Sequence, residues 1–319
     1  MLERQGQDFV EIEFVVEPNY AGWRLDQYLC EKIRRLSREK VHQLIAASVF
    51  SDSKLKPSTL MRPGQTFRLR RRAQEEPQTP TDLRELFRDD WLLVLDKPAG
   101  LPIHPTARYH KGTLVSLVKT LYGEGFQADP AHRLDRETSG IVVCGRSTEA
   151  CRVLMRAFMA GEVQKEYLAV VEGWPREERF EVDAPIAEGT ELIRIAVRID
   201  PVAGKPARTR FQVLERFTRE DEPFALVRCF PRTGRQHQIR IHLREAGHSI
   251  VGDKMYGPDH GYFDRFSKHQ LEPEAWARLR LPRHALHAAK ISFAHPGTRQ
   301  PVTFEAPLPD DLEAFRAGR

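Results

Sequence analysis

The nine residues His132–Gly140, HRLDRETSG, decide the interpretation of this chain. Asp135 lies between Arg133 and Arg136, and the small residues that close the stretch favour a turn. The apolar run Ile141–Cys144 follows directly and predicts a short buried strand. An acid on a loop at the mouth of a buried strand, flanked by cations, is expected to stay ionised and to face a substrate. The two arginines indicate that this substrate is a polyanion.

The order of these residues resembles the active-site loop of the RluA-type pseudouridine synthases, His-Arg-Leu-Asp-Arg-x-Thr-Ser-Gly, and every fixed position is present. The resemblance implies an α+β catalytic domain, built on a mixed, mainly antiparallel sheet flanked by helices and loops. It also implies that Asp135 is the catalytic aspartate. The implied reaction is the isomerisation of uridine to pseudouridine in structured RNA, which needs no cofactor. Large-subunit ribosomal RNA is the favoured substrate, with transfer RNA as the alternative.

Length and composition are compatible with this interpretation. The chain has 319 residues, enough for two domains, and its 40% hydrophobic and 30% charged residues are typical of a soluble globular protein. The net charge of +5 favours a phosphate-bearing partner. No apolar run approaches the ~20 residues of a membrane helix, and the polar N-terminus is unlike a secretory signal. The four cysteines form no CxxC pair, so we expect reduced cysteines of a cytoplasmic protein and no metal. The sequence carries no signal for the oligomeric state, and a monomer is the default expectation.

Residues 1–72 are predicted to form an N-terminal tail and a small domain. Phe9–Val16 alternates like a strand, a helix opens at Arg24, and Ser37 is a good N-cap for a second helix. Four basic residues cluster where the two helices meet: Arg34, Arg35, Arg38 and Lys40. The Arg24-Leu25-Asp26-x-x-Leu29 and Ser37-Arg38-x-x-Val41 patterns resemble the ribosomal-protein-S-four-type RNA-binding domain, although residues 47–55 depart from it. The resemblance implies that the basic residues bind RNA; the alternative is a solvated basic face.

Residues 73–82 have a linker composition, and residues 83–319 are predicted to form the catalytic domain. Trp91–Asp96 predicts a buried strand that ends in a Lys-Pro-x-Gly turn, and helices are predicted over Thr113–Tyr122 and Thr148–Met159. On the second helix, Met155 and Met159 are interpreted as core residues.

The alternating stretch Lys165–Gly173 predicts a strand that carries Tyr167. A strand tyrosine is most often a half-buried core residue with a bonded hydroxyl. The Lys-x-Tyr-x-Ala pattern, however, resembles the family segment with the active-site tyrosine, which implies that Tyr167 is catalytic.

The stretch Thr233–Leu243, TGRQHQIRIHL, alternates in a way that predicts a strand. It resembles the family pattern Thr-Gly-Arg-x-His-Gln-x-Arg-x-His, which implies that one arginine pairs with Asp135. We expect Arg240 to be that residue, with Arg235 as the alternative. RNA contacts in the catalytic domain are assigned by the same resemblance to Arg133, Arg136, Lys205, Arg235 and His237. The histidines at 237 and 242 are otherwise expected to make structural hydrogen bonds.

Several alternatives stay open on the sequence alone. The carboxylate of Asp135 could attack the ribose covalently or remove a ribose proton to give a glycal. A non-catalytic RNA-binding or ribosome-assembly factor could keep the same scaffold, and so could a glycosidase that acts on free nucleosides. The basic N-terminal domain argues against the last of these, because a small substrate needs no second binding module.

Overall fold

The computed structural model describes residues 9–33, 36–50, 54–72, 76–106, 109–189, 196–259 and 261–318. The chain divides into two compact units, Met1–Glu75 and Glu76–Arg319. Among the residues of these described ranges, none of the helices is both long and apolar enough to cross a bilayer.

The first unit packs two helices against a small antiparallel sheet. Its elements in chain order are β1 (Phe9–Val15), α1 (Leu25–Lys32), α2 (Arg38–Ser48), β2 (Val49–Phe50) and β3 (Thr66–Arg72). The sheet order is β1-β3-β2. Tyr28 and Phe67 are buried at the centre, where their rings meet edge to face at 6.0 Å. The Ser37 side chain accepts a hydrogen bond from the Lys40 backbone N–H at 3.4 Å, so the predicted N-cap is present.

The second unit holds the remaining elements. They are β4 (Arg84–Arg88), β5 (Leu92–Lys97), α3 (Leu114–Tyr122), β6 (Asp129–Pro130), β7 (Ser139–Gly145), α4 (Thr148–Ala160), β8 (Gln164–Glu172), β9 (Arg179–Asp183), β10 (Ile186–Glu188), β11 (Val197–Ile199), β12 (Arg208–Arg219), β13 (Glu222–Pro231), α5 (Gln238–Glu245), α6 (Tyr262–Ser267), α7 (Pro273–Leu279), β14 (Leu286–Ala294), β15 (Pro301–Glu305) and α8 (Asp310–Arg316).

Ten of these strands form one mixed sheet. Its main order is β4-β5-β7-β14-β8-β13-β12-β9, with β15 paired to β14 and β6 paired to β7. Every pairing between described strands is antiparallel except that of β7 with β14. The β7–β14–β8 arrangement sets Gly140 beside Ala288 and Ala288 beside Tyr167, so the end of the Asp135 loop and the tyrosine lie two strands apart.

The sheet is covered on both faces near β5 and β7, which explains why their sequences are continuously apolar. Leu93 and Leu95 pack with α3 on one face, whereas Leu92 and Val94 pack with Leu154 of α4 on the other. The predictions of these two strands and of both helices are confirmed.

Three details differ from the predictions. The strand predicted over Thr233–Leu243 is wrong, because residues 238–245 form helix α5. All six residues from Gln238 to Leu243 are buried, and burial on every side removes the polar face by which a helix is distinguished from a strand in the sequence. The core assignment of Met155 and Met159 is also wrong, since they are 48% and 86% exposed. The predicted linker is packed in its described part, where Glu76 accepts hydrogen bonds from the backbone N–H groups of 110–112.

Candidate active site

The Asp135 loop connects β6 to β7 and is closed by a glycine that no other residue could replace without strain. Gly140 has a φ of +108°, and a Cβ atom there would come within 2.3 Å of the Ala288 carbonyl oxygen on β14. The close approach of β14 lets the hydroxyl of Ser139 bond His287 at 3.0 Å. Before it, the Thr138 backbone N–H donates to the Asp135 carbonyl oxygen at 3.1 Å, which forms the predicted turn.

The carboxylate of Asp135 is paired with Arg240 from helix α5. Arg240 Nη1 donates to Asp135 Oδ2 at 3.0 Å. The other side of the same guanidinium donates to both oxygens of Asp253, from Nε at 2.7 Å and from Nη2 at 2.8 Å. Asp253 is wholly buried, whereas the Asp135 side chain keeps 20% of its surface exposed. Arg240 therefore bridges one sealed carboxylate and one open carboxylate.

This pairing keeps Asp135 ionised. Burial pushes the pKa of the Asp135 carboxyl upward, but the positive charges that His237, Arg240 and His284 can carry outweigh burial and lower the pKa to about 2. Burial also lowers the pKa of His237, to about 4, so the imidazole is neutral at neutral pH. Arg240 is therefore the cation that holds Asp135 charged.

His237 and Arg240 are both held by one short turn. His237 Nε2 lies 3.6 Å from Asp135 Oδ1, and its Nδ1 is 2.9 Å from the hydroxyl of Tyr256. The Arg240 guanidinium lies over the Tyr256 ring, 5.0 Å from its centre. Asp253 Oδ1 accepts the Tyr256 backbone N–H at 3.0 Å, which closes the turn. The 253–256 turn thus orients both groups that face Asp135.

A buried lysine anchors the other side of the loop. Lys97, at the end of β5, donates from Nζ to the carbonyl oxygens of Pro98 and Leu101, both at 2.9 Å, and of Arg136 at 3.1 Å. The Lys-Pro-x-Gly turn is therefore bonded directly to the residue after Asp135. Because three acceptors surround one ammonium group, the loop backbone has little freedom to move.

An ion pair and a hydrogen bond fix the part of the loop that leads from Asp135 into β7. Lys254 Nζ donates to Glu137 Oε2 at 3.0 Å, and His284 bonds Thr138 Oγ1 at 2.8 Å. His284 and His287 thus hold the loop by hydrogen bonds. The described residues contain no cluster of three potential metal ligands.

Asp135 and Tyr167 line the same cleft, whose volume is about 550 Å³. This size suits one nucleoside. Burial raises the pKa of the Tyr167 hydroxyl above its ordinary value, so the side chain is a neutral phenol over the physiological range. Other residues in the wall are His132, Arg133, Phe158, Met159, Lys165, Arg232, Arg235, His237 and Arg240.

Only some of the other residues predicted to contact RNA line the cleft. Arg133 and Arg235 are exposed and line the cleft, and Arg235 Nε donates to the Pro206 carbonyl oxygen at 3.2 Å rather than to Asp135. Arg136 is turned toward Tyr109 and Glu137, and Lys205 is exposed on a turn; neither lines the cleft. Arg38 and Lys40 are exposed in the first unit. Arg34 and Arg35 lie outside the described residues.

Sequence reasoning missed Asp253, Tyr256 and Lys97 as parts of this site. Asp253 is 13 residues from Arg240 along the chain, and no periodic pattern joins them. The sequence indicates Lys97 only as part of a turn. A lysine that ends a buried strand is the signal that could have identified it, because a buried ammonium group requires several acceptors.

Known proteins resemble both the sequence and the fold. A family model described as RNA pseudouridylate synthase matches residues 91–245. Ribosomal large subunit pseudouridine synthase D of Nitrosomonas europaea is 36% identical over 317 residues, covering 95% of this chain and 86% of that protein. Ribosomal large subunit pseudouridine synthase C of Escherichia coli (strain K12) is 33% identical, with 92% of each chain covered. The structure of human RNA pseudouridylate synthase domain containing 1 superposes with a TM-score of 0.59 at 28% identity, covering 75% of this chain and 89% of that one.

These similarities agree on one fold and on one class of enzyme, the isomerases that make pseudouridine. The chain belongs to the RNA pseudouridylate synthase family. The enzyme class and the α+β fold predicted from the sequence are thereby confirmed. The resemblance of the first unit to an S-four-type domain stays a prediction.

Proposed function

We propose that this chain isomerises uridine to pseudouridine in large-subunit ribosomal RNA. Asp135 is the catalytic carboxylate, Arg240 the cation that keeps it ionised, and Tyr167 the side chain that packs on the target base. One observation carries the proposal: Asp135 is bonded to Arg240 at 3.0 Å through Oδ2 and is otherwise open to a nucleoside-sized cleft. Such a carboxylate is charged, fixed in orientation and free to react.

The reaction breaks the bond from ribose C1′ to uracil N1 and forms a bond from C1′ to uracil C5. Atoms balance without any co-reactant, because the proton lost from C5 is replaced by one gained at N1. Asp135 either bonds to C1′ or removes the C2′ proton while the freed base turns. We assign the neutral Tyr167 hydroxyl to the base, because Tyr167 lines the same cleft as Asp135 but lies two strands away from Gly140.

The target uridine has to leave its stack to enter this cleft, at a cost of a few kcal/mol. Arg133, Arg232 and Arg235 are exposed on the cleft wall and supply positive charge for the phosphates around the extruded nucleotide. Tyr167 offers a flat ring, and stacking on an aromatic ring is a common way to hold an unstacked RNA base.

The first unit is proposed as a second RNA contact. Arg24, Arg38 and His42 all bond the single carboxylate of Asp26, so positive charge exceeds negative charge in this cluster. Arg38 keeps 60% of its side chain exposed. The excess charge supports phosphate binding on this face, near the junction of α1 and α2.

The test uses the full chain and RNA labelled with tritium at uracil C5. We expect tritium release from transcripts of large-subunit ribosomal RNA, and the modified positions are then mapped by carbodiimide derivatisation and reverse transcription. Transfer RNA transcripts and free labelled uridine are assayed in parallel. Release from transfer RNA alone would overturn the ribosomal assignment, release from free uridine would indicate a nucleoside enzyme, and no release from any substrate would indicate a non-catalytic RNA-binding protein.

A further inference from the structure

Lys165 is a cation of the cleft wall that has no counter-ion among the described residues. It lies two residues before Tyr167 on β8, so both side chains project from the same face of the strand, and both line the cleft. It is half-buried, and among the described residues no carboxylate forms an ion pair with it. Burial lowers the pKa of Lys165, with no opposing acid. A half-buried lysine without an acid partner is a place where a ligand can supply the missing charge.

The helix next to Lys165 exposes a stripe of alternating cationic and soft apolar residues. Arg152, Met155, Arg156 and Met159 occupy positions i, i+3, i+4 and i+7 of α4 and are all exposed. The stripe extends about 10.5 Å along the helix axis. Neither arginine forms an ion pair within the described part of the chain. Two arginines without acids suit a polyanion, and the methionines between them suit the flat faces of bases.

The stripe is continuous with the cleft. Met159, at the C-terminal end of α4, lines the cleft and is 86% exposed. The next residue but one, Gly161, also lines it, and a Cβ atom at Gly161 would lie 3.9 Å from the carbonyl oxygen of the exposed Arg232, which lines the cleft too. Lys165, Arg232, Met159 and the α4 stripe therefore form one surface that begins inside the cleft and continues outside it.

We propose that this surface binds the single-stranded RNA segment that flanks the target uridine. Lys165 holds a backbone phosphate at the mouth of the cleft, and Arg156 and Arg152 hold the phosphates that follow along α4. Met159 and Met155 lie under the intervening bases. The inference rests on the proposed function for the identity of the polyanion, and it adds where the strand leaves the site.

The proposed RNA contact explains why this surface exposes methionines and arginines. A methionine that is 86% exposed gains nothing from folding, and two arginines four residues apart on one helix face repel each other. Both features cost stability in the free protein. Both become favourable when phosphates and bases cover the stripe, because counterions are released from the RNA and apolar surface leaves water.

The test is the double variant Arg152→Gln/Arg156→Gln in the full chain. Binding to the large-subunit ribosomal RNA transcript is measured by filter retention at several salt concentrations, and the rate by tritium release. We expect the dissociation constant and KM to rise about tenfold and kcat to stay within twofold. Removal of two phosphate contacts should reduce the slope of log K against log salt by about 1.4, since each contact to a single strand contributes about 0.7.

The matched control is Arg176→Gln/Arg299→Gln, which removes the same charge from exposed positions away from the cleft. It should change the dissociation constant less than threefold. A second variant, Met155→Ser/Met159→Ser, keeps the charge and removes the apolar contacts; it should weaken binding without changing the salt slope.

The outcomes separate this inference from the proposed function. If the unsubstituted chain releases tritium but the α4 variant binds as tightly as the control variant, the stripe is only a solvated helix face and the inference is overturned. An equal loss in the α4 and control variants would show a general charge effect and would overturn it too. If the unsubstituted chain releases no tritium, the proposed function fails, and the binding arm still decides whether α4 contacts RNA.

Discussion

Two aspartates in this molecule have similar basic neighbours but differ in exposure and in the number of their hydrogen-bond partners. Asp26 in the first unit is completely buried and bonds Arg24, Arg38 and His42, and its Oδ1 also accepts the Gln27 backbone N–H at 2.9 Å. Among the described residues, Asp135 accepts a side-chain hydrogen bond from Arg240 and has His237 Nε2 3.6 Å away, and it keeps 20% of its side chain exposed. Both carboxyl pKa values lie below the ordinary value. Ionisation is therefore common to a structural aspartate and to the proposed catalytic one, and unused hydrogen-bonding capacity distinguishes them.

The largest effect should follow Asp135→Asn. The amide keeps the size of the side chain but removes the negative charge that the reaction needs, so tritium release should fall about 10⁴-fold or more. The dissociation constant for the RNA should stay within threefold, because one open carboxylate contributes little to a phosphate-binding surface. Full activity in this variant would assign the chemistry to another group and would contradict the distinction between Asp26 and Asp135.

The next largest effect should follow the paired change Arg240→Gln/Asp253→Asn. Changing both residues avoids leaving Asp253 charged and buried without a partner, which would destabilise the site by itself. We expect kcat to fall about 10³-fold, the range seen when one electrostatic partner of a reaction centre is removed. Folding is checked by the urea midpoint, which should change much less than the rate.

The same double variant has a diagnostic pH profile. With Arg240 present, the pKa of Asp135 is about 2, so activity should show no acid limb above pH 4. Without Arg240, a permanent positive charge that lowers the pKa of Asp135 is lost while burial still raises it, so the pKa should rise and the active, ionised form should be lost at a higher pH. We expect an acid limb in the variant at a higher pH than in the unsubstituted chain. An unchanged profile would indicate that Arg240 only packs against the loop.

Tyr167→Phe should have a smaller effect, on the rate alone. The ring remains to pack on a base, and only the hydroxyl is lost, so we expect kcat to fall about 10²-fold. The dissociation constant for RNA should change less than twofold. Phe at this position with an unchanged kcat would reduce Tyr167 to a core residue, which was the alternative on the sequence alone.

The local elements of this fold could be predicted from the sequence, and the contacts between distant residues could not. The apolar run before Lys97 and the turn after Asp135 are short-range signals, and both elements formed where they were expected. Helix α5 is predicted as a strand because its residues are buried on all sides, so the sequence lacks the polar face that would mark a helix. The Arg240–Asp253 pair depends on how helix α5 and the 253–256 turn fold together, and a single sequence contains no periodic signal for it.

The smallest expected effect follows Asp26→Asn, which tests the comparison of the two aspartates at the structural one. Arg24 and Arg38 lose their charged partner, but both reach solvent, so the first unit should lose only about 2 kcal/mol of stability. Because the folded pKa of Asp26 is lowered, its stabilisation is present above the ordinary pKa and is lost as pH falls toward the folded value; the variant should lack this acid dependence. Hydrogen exchange of α1 and α2 in the full chain measures the loss, with the exposed Glu39→Gln as control. The kcat for tritium release should be unchanged, since a carboxylate whose hydrogen-bonding capacity is fully used takes no part in the chemistry. A fall in kcat would show that unused hydrogen-bonding capacity does not distinguish Asp135 from Asp26.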